Sequence, residues 1–243
     1  MNLAQLRLIA CVTLTLLLGS NATCRAETPT RRSSYSHMAS LGRYLSTERS
    51  VEIALARSAA PASISRYAAV LVLGRHGYET IRAGKNGFTC LVERAWMSPF
   101  DSPEFWNPKI RGPICYNLPA SRSILLYTIN RTELVMAGLS KIQMIDRIDA
   151  KVKEKKLPPP EPGSMSYMMS KKQYLGDAVG PWLPHLMFAV SAADGAEDGV
   201  SWGANRRGSP VMLNTSYRRV PEPETIFMVP VGNWSDGTAA PQM

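Results

Sequence analysis

The densest cluster of chemically capable side chains is Tyr174-Leu175-Gly176-Asp177, followed closely by Gly180-Pro181-Trp182-Leu183-Pro184-His185. A carboxylate, an indole and an imidazole stand on a Gly/Pro-constrained loop that leads into an apolar run, and such loops often carry sites. Asp177 could orient His185 as a general base, or both could ligate a metal. The plainer alternative, a histidine whose ring bonds to backbone beneath the loop, is preferred. No Ser or Cys stands in a nucleophile-elbow context, so a triad would need residues from distant parts of the chain.

Other candidates are weighed in the same way. His76, in Gly74-Arg75-His76-Gly77, reads as an exposed turn residue. Two histidines and scattered acids make a poor zinc set, so neither a metal nor a cofactor is expected. Met165, Met168, Met169 and Met187 lie close together, and thioethers bind Cu(I). They fall inside predicted strands, where methionine is a pliable core filler, and that reading is preferred. Trp96, Trp106 and Trp182 each sit beside loop-forming residues, as do Trp202 and Trp234. The first three are candidate stacking platforms for a sugar or peptide. The alternative, that they pin long loops onto a sheet, is the preferred reading.

The chain opens with a layout that bears on compartment. Met1–Arg7 carries one positive charge, Leu8–Leu18 is apolar, and small and polar residues run to Ala26. This is the pattern of a signal peptide, residues 1–26, with cleavage after Ala22 or Ala26 both open. The apolar run is shorter than the roughly 20 residues a membrane-spanning helix needs, so no anchor is expected after cleavage. Export to the periplasm or medium favours a disulfide, and Cys90 and Cys115 are the expected pair. Neither lies in a Cys-x-x-Cys motif. The formal charge is +9, from 28 basic and 19 acidic side chains. Its simplest meaning is solubility, though anionic envelope components are conceivable partners. The basic residues are scattered in pairs without a nucleic-acid module signature, so nucleic acid is excluded.

Behind the polar, flexible lead-in of residues 27–43, the elements that would position these residues are legible from their periods. Ser46-Thr47-Glu48 should cap a helix with Val51, Ala54, Leu55 and Ala59 inward, ended by Pro61. Ala68–Leu73, Tyr78–Arg82 and Phe88–Ala95 read as strands, and Asn86-Gly87 suits a tight hairpin, which predicts a β-meander. Trp96–Pro119 reads as a long irregular excursion tied at its far end by the disulfide.

Ser121–Leu139 should be helical, and Ser140 with Gln143 resembles a capping box opening a second helix with Ile142, Ile145, Ile148 and Val152 on one stripe. The prolines at 158, 159, 160 and 162 predict a stiff spacer. Ser164–Ser170, Leu186–Val190, Pro210–Thr215 and Thr225–Val231 are apolar runs of strand length.

Four segments occur in the order Asn86-Gly87-Phe88-Thr89-Cys90, Tyr167-Met168-Met169, Pro184-His185-Leu186-Met187 and Met228-Val229-Pro230-Val231. With the leader, this set resembles a group of exported bacterial proteins of unknown function, over residues 68–237. The resemblance implies a shared fold and a bacterial envelope setting, and carries over no catalytic residue.

The expected architecture is one α+β domain over residues 44–240, a largely antiparallel sheet with two or three helices and with the 121–156 helices covering one face. Two functions are carried forward. One is a non-catalytic protein that binds a ligand or an envelope glycan through its tryptophan-bearing loops. The other is a hydrolase or metal-dependent enzyme centred on Asp177 and His185.

Overall fold

The apolar run after Tyr67 forms β1 (Ala69–Gly74), and the chain turns back at Arg75-His76 into β2 (Gly77–Arg82). Gly77 supplies the positive φ that this turn requires, +112°. The computed structural model describes residues 35–192, 200–214 and 221–241, all within the unit Ser33–Met243. The leader and residues 27–34 of the lead-in lie outside the described residues.

The expected meander does not form. β3 (Thr89–Glu93) pairs with β1 in parallel, on the side away from β2. The chain therefore recrosses the start of β1, and it passes so close there that a Cβ on Gly84 would lie 2.4 Å from the Ala69 nitrogen. The physical reason lies in the strands. β1 has buried residues on both of its sides, so leaving one edge unpaired would expose its backbone, whereas the polar strand β2 can stand at the margin. Gly87 does adopt the left-handed conformation foreseen for it, φ +77°, but in the crossover and not in a hairpin.

The remaining strands are β4 (Gly112–Tyr116), β5 (Met165–Met168), β6 (His185–Ser191), β7 (Met212–Leu213) and β8 (Glu224–Pro230). β4, buried between β3 and β5, lies inside the stretch 96–119 expected to be irregular and cuts that excursion back to residues 95–111. The sheet order is β2-β1-β3-β4-β5-β6-β8-β7, and every neighbouring pair except β1–β3 is antiparallel. This is the expected α+β class with a largely antiparallel sheet. Cys90 and Cys115 stand directly opposite each other on β3 and β4 and are joined as a disulfide.

Helices cover both faces, not one. α1 (Arg49–Arg57) packs Ala56 against Val70, Val72, Val92 and the disulfide, and the single turn α2 (Ala62–Ser65) follows Pro61. Val51 and Ala54, expected inward, are exposed; Glu52 is buried in their place. The reason is an ion pair. Arg94 Nη2 donates to Glu52 Oε1 at 2.6 Å, its Nε donates to the Tyr44 carbonyl at 2.8 Å, and Ser46 donates to the second carboxylate oxygen. Ser46 thus serves Glu52, and no side chain caps the helix.

On the opposite face lie α3 (Leu118–Arg122), α4 (Ile124–Met136) and α5 (Lys141–Lys153). The single helix expected over 121–139 breaks at Ser123, whose hydroxyl bonds the Pro119 carbonyl. The Ser140–Gln143 capping box is present. In α5 the inward residues are Met144 and Ile148, while Ile142 is 73% exposed, a rotation of the foreseen stripe. The proline segment is no free spacer: Leu157 and Pro160 are buried, and Tyr127 of α4 donates to the Pro158 carbonyl at 2.8 Å. Part of the lead-in is likewise packed, since Tyr35, Met38 and Ala39 rest on the core around Trp106.

The disulfide closes a loop with a sequence separation of 25. The Cys90→Ala/Cys115→Ala variant should lose about 3–4 kcal/mol by chain entropy, read from urea unfolding at neutral pH. A loss below about 1 kcal/mol would show that the paired strands already restrict the unfolded chain without it.

Candidate functional site

His185 begins β6, and its side chain points to the face that also carries Met187, Ala189 and, on the neighbouring strands, Met168 and Met228. The ring is 2% exposed and packs edge-on against Trp182, with centroids 4.6 Å apart. Nδ1 lies 2.8 Å from the Leu183 carbonyl. A carbonyl only accepts, so Nδ1 carries the proton and Nε2 keeps its lone pair. Burial pushes the imidazole pKa down to about 4, against the opposing pull of the Leu183 carbonyl, so the ring is neutral at physiological pH.

Asp177 is engaged elsewhere. Its carboxylate accepts from Tyr35 at 2.7 Å, from Lys109 at 3.1 Å and from Tyr174. These donors, Tyr174 first, hold its pKa well below the usual carboxylate range. Glu104 in turn accepts the backbone N–H groups of Asp177 and Ala178. Asp177 thereby joins the lead-in, the 95–111 excursion and the 174–182 loop. A carboxylate with three donors is a weak base, and no hydrogen bond links it to His185 among the described residues.

The tryptophans divide. Trp96 is fully buried with Nε1 donating to Thr132 Oγ1 at 2.9 Å, and Trp106 is 7% exposed and edge-on to Phe105 at 4.7 Å. Both hold the excursion to the core, and neither presents an indole face to a ligand here. Trp182 borders a cavity. Trp202, beyond it, stacks on Phe227 at 4.6 Å. His76 is exposed in the β1–β2 turn, as expected.

That cavity, about 410 Å³, lies over the β3–β8 face. Its floor is Glu93, Gly112, Met168, His185, Met187 and Met228. Its walls come from two loops, the excursion through Met97, Pro99 and Ile110, and the later loop through Leu175, Val179 and Trp182. Beside it is a smaller recess of about 40 Å³ that shares Glu93, Met97 and Met187 and is lined further by Tyr116, Ser166 and Glu224.

The recess is acidic, and burial raises the pKa of both its carboxyl groups. Glu93 accepts from Tyr116 and from Thr128 Oγ1 at 3.2 Å, and desolvation raises its pKa. Glu224 is pushed up to about 8 by burial first and then by Glu222, and its Oε2 has no hydrogen-bond partner among the described residues. At neutral pH it is therefore held mainly as the acid. Glu222 is paired, accepting from Arg131 Nε at 2.6 Å. No group of three or more His, Cys, Asp or Glu is placed to hold a metal among the described residues.

Reading the sequence for motifs missed this acidic group. The signal was present: Pro221-Glu222-Pro223-Glu224 leads straight into an apolar strand, and the two-residue period puts Glu224 on the side of Ile226 and Met228. Glu93 is in phase with buried Leu91 in the same way. Met228 was missed because it is forty-one residues beyond Met187 and meets it only through strand pairing.

Comparison with protein-family models, curated proteins and solved structures returned no match, so function is argued from the site alone.

Two buried groups set opposite pH dependences. Glu224 has a folded pKa near 8 against an ordinary 4.5, so the native state holds the extra proton and stability falls as pH rises between them. His185, near 4 against 6.5, makes stability rise with pH over its own window. Above pH 6.5 only the Glu224 effect of the two remains. From pH 6.5 to 8 the wild type should therefore lose stability at a rate of at most about 1.4 kcal/mol per pH unit from this group. Glu224→Gln should lose measurably less by urea midpoints, and equal losses would mean that Glu224 titrates normally in the folded chain.

Proposed function

We propose that this is an exported, non-catalytic binding protein that takes a small, weakly hydrated ligand into the chamber above the β3–β8 face. The observation that carries the reading is the chamber itself. Its 410 Å³ falls within the roughly 300–1,000 Å³ of small-ligand sites, and thioether, aliphatic and indole groups line it with a few polar ones. Trp182 keeps the binding role expected of it. The contribution expected of Trp96 and Trp106 passes to the loops they anchor.

Export is supported by the signal-like leader, by the Cys90–Cys115 disulfide and by the lack of a membrane-crossing helix among the described residues. A periplasmic or secreted setting, in a bacterial envelope as the resemblance implies, belongs to the same proposal. Thioether, aliphatic and indole groups make up most of the lining and favour an apolar envelope molecule over a glycan, while Glu93, Arg94, Ser98, Ser102, His185 and Asn214 supply polar groups to orient it. A hydrolase centred on Asp177 and His185 is less well supported, since each side chain has its hydrogen bonds elsewhere.

The test is titration with the apolar fluorophore N-phenyl-1-naphthylamine. Saturable one-site binding is expected. Trp182→Ala and Val179→Trp, which respectively remove a wall and obstruct the mouth, should each weaken it about tenfold or more, or 1.4 kcal/mol, with unchanged urea midpoints. Absence of saturable binding, or binding unaffected by both substitutions, would overturn the proposal.

A further inference from the structure

The chamber floor is more specific than an apolar surface needs to be. Met168 on β5 stands directly opposite His185 on β6, and two residues further along β6 Met187 stands opposite Met228 on β8. All four line the same cavity. Opposed residues on adjacent antiparallel strands have Cβ atoms roughly 4.5–5.5 Å apart, and alternate residues along a strand project from the same face. Three long, flexible thioether stems and one imidazole can therefore converge on a point above β6.

Three further observations separate this set from ordinary core filling. First, Met187 and Met228 are only half-buried and border open space, where a core methionine would be surrounded by other atoms, while Met168 lines the same chamber from the core, 6% exposed beside Leu91 and Ile114. Second, His185 is 98% buried yet its Nδ1–H is tied to the Leu183 carbonyl, the outer hydrogen bond that fixes a metal-ligating imidazole and leaves Nε2 to coordinate. No hydrogen bond occupies Nε2 among the described residues. Third, the donors are soft. The thioethers discriminate: they suit Cu(I), whereas Zn(II) takes thiolate, imidazole or carboxylate, and Mg(II) and Ca(II) take oxygen ligands. The thiols of Cys90 and Cys115 are closed off in the disulfide.

We propose that Met168, Met187, Met228 and His185 form a binding site for a soft monovalent metal ion, Cu(I). The assignment rests on the chamber being a binding site and names what its floor takes. The ion gives up its hydration to sulfur and nitrogen ligands, and the apolar walls from Met97, Leu175 and Trp182 keep water and oxygen-donor competitors away.

The test uses the purified, disulfide-bonded protein with any thiols of Cys11 and Cys24 blocked by N-ethylmaleimide, so that they cannot compete for metal. Under anaerobic conditions the protein is titrated into the Cu(I)–bicinchoninate complex, whose visible absorbance reports transfer of copper. Withdrawal of one equivalent is expected. Met187→Leu/Met228→Leu conserves volume and should weaken binding by at least the roughly 10–100-fold that loss of even an outer-shell partner costs a metal site. X-ray absorption at the copper edge of the wild type supplies a readout independent of any variant, and sulfur scatterers with one nitrogen are expected.

No withdrawal of copper, a coordination shell of oxygen and nitrogen alone, or a double variant that binds like wild type would overturn the assignment. Naphthylamine binding separates its failure from that of the broader reading. Probe bound without copper leaves the chamber as a binding site and removes the metal assignment. Neither bound removes both.

Discussion

A single guanidinium buried beneath the chamber holds its parts together. Arg131 of α4 is 1% exposed and joins its helix to two separate segments: Glu222 ahead of β8, and the Trp96 and Ser98 carbonyls of the excursion, at 2.9 and 2.8 Å. Its charged carbon lies 4.3 Å from the Phe100 ring centre. Burying a guanidinium costs desolvation energy that one carboxylate seldom fully offsets, so such a pair adds little stability compared with apolar packing. What it adds is direction. A planar fork of donors accepts only one arrangement of those carbonyls, and that arrangement places Met97, Pro99 and Ile110 as a wall over the sheet.

The same device recurs two residues before Trp96, where Arg94, itself bordering the chamber, binds Glu52, the Tyr44 carbonyl and the Val92 carbonyl. One pair seats α1 on its face of the sheet, and the other seats the excursion on the opposite face. Between them the long irregular stretch from Ala95 to Arg111 becomes ordered with little regular secondary structure. Trp96 and Trp106 complete the work by filling the space beneath it. Their indoles are spent on folding, which leaves Trp182 as the aromatic surface at the chamber.

Crowding buried acids has its own consequence. Glu93, Glu222 and Glu224 approach one another from β3 and from the start of β8, and one Arg131 cannot neutralise all three. Glu93 and Glu224 both have raised pKa values, desolvation being the main cause, and Glu224 keeps its proton at neutral pH. Glu224 therefore offers the recess an uncharged hydrogen-bonding group and lowers the negative charge its composition would suggest. That agrees with a chamber for weakly hydrated ligands, since a fully ionised acid trio would attract water and hard cations.

Local chemistry made much of this protein legible in its sequence. Period and turn residues were enough for the α+β class, most strand positions, the Ser140–Gln143 cap and the exposed turn at His76. Two cysteines in an export setting were enough for the disulfide. These features depend on neighbours along the chain, or on there being only one plausible partner. Tertiary structure alone decided the parallel β1–β3 pairing, the inward turn of Glu52, the burial of Trp96 and Trp106, and the separate hydrogen-bond partners of Asp177 and His185. It alone brought Met228 beside Met187 and Glu224 near Glu93. The reason is that strand pairing and buried charge are satisfied between segments far apart in sequence, and a residue's own neighbourhood does not record which distant partner meets it.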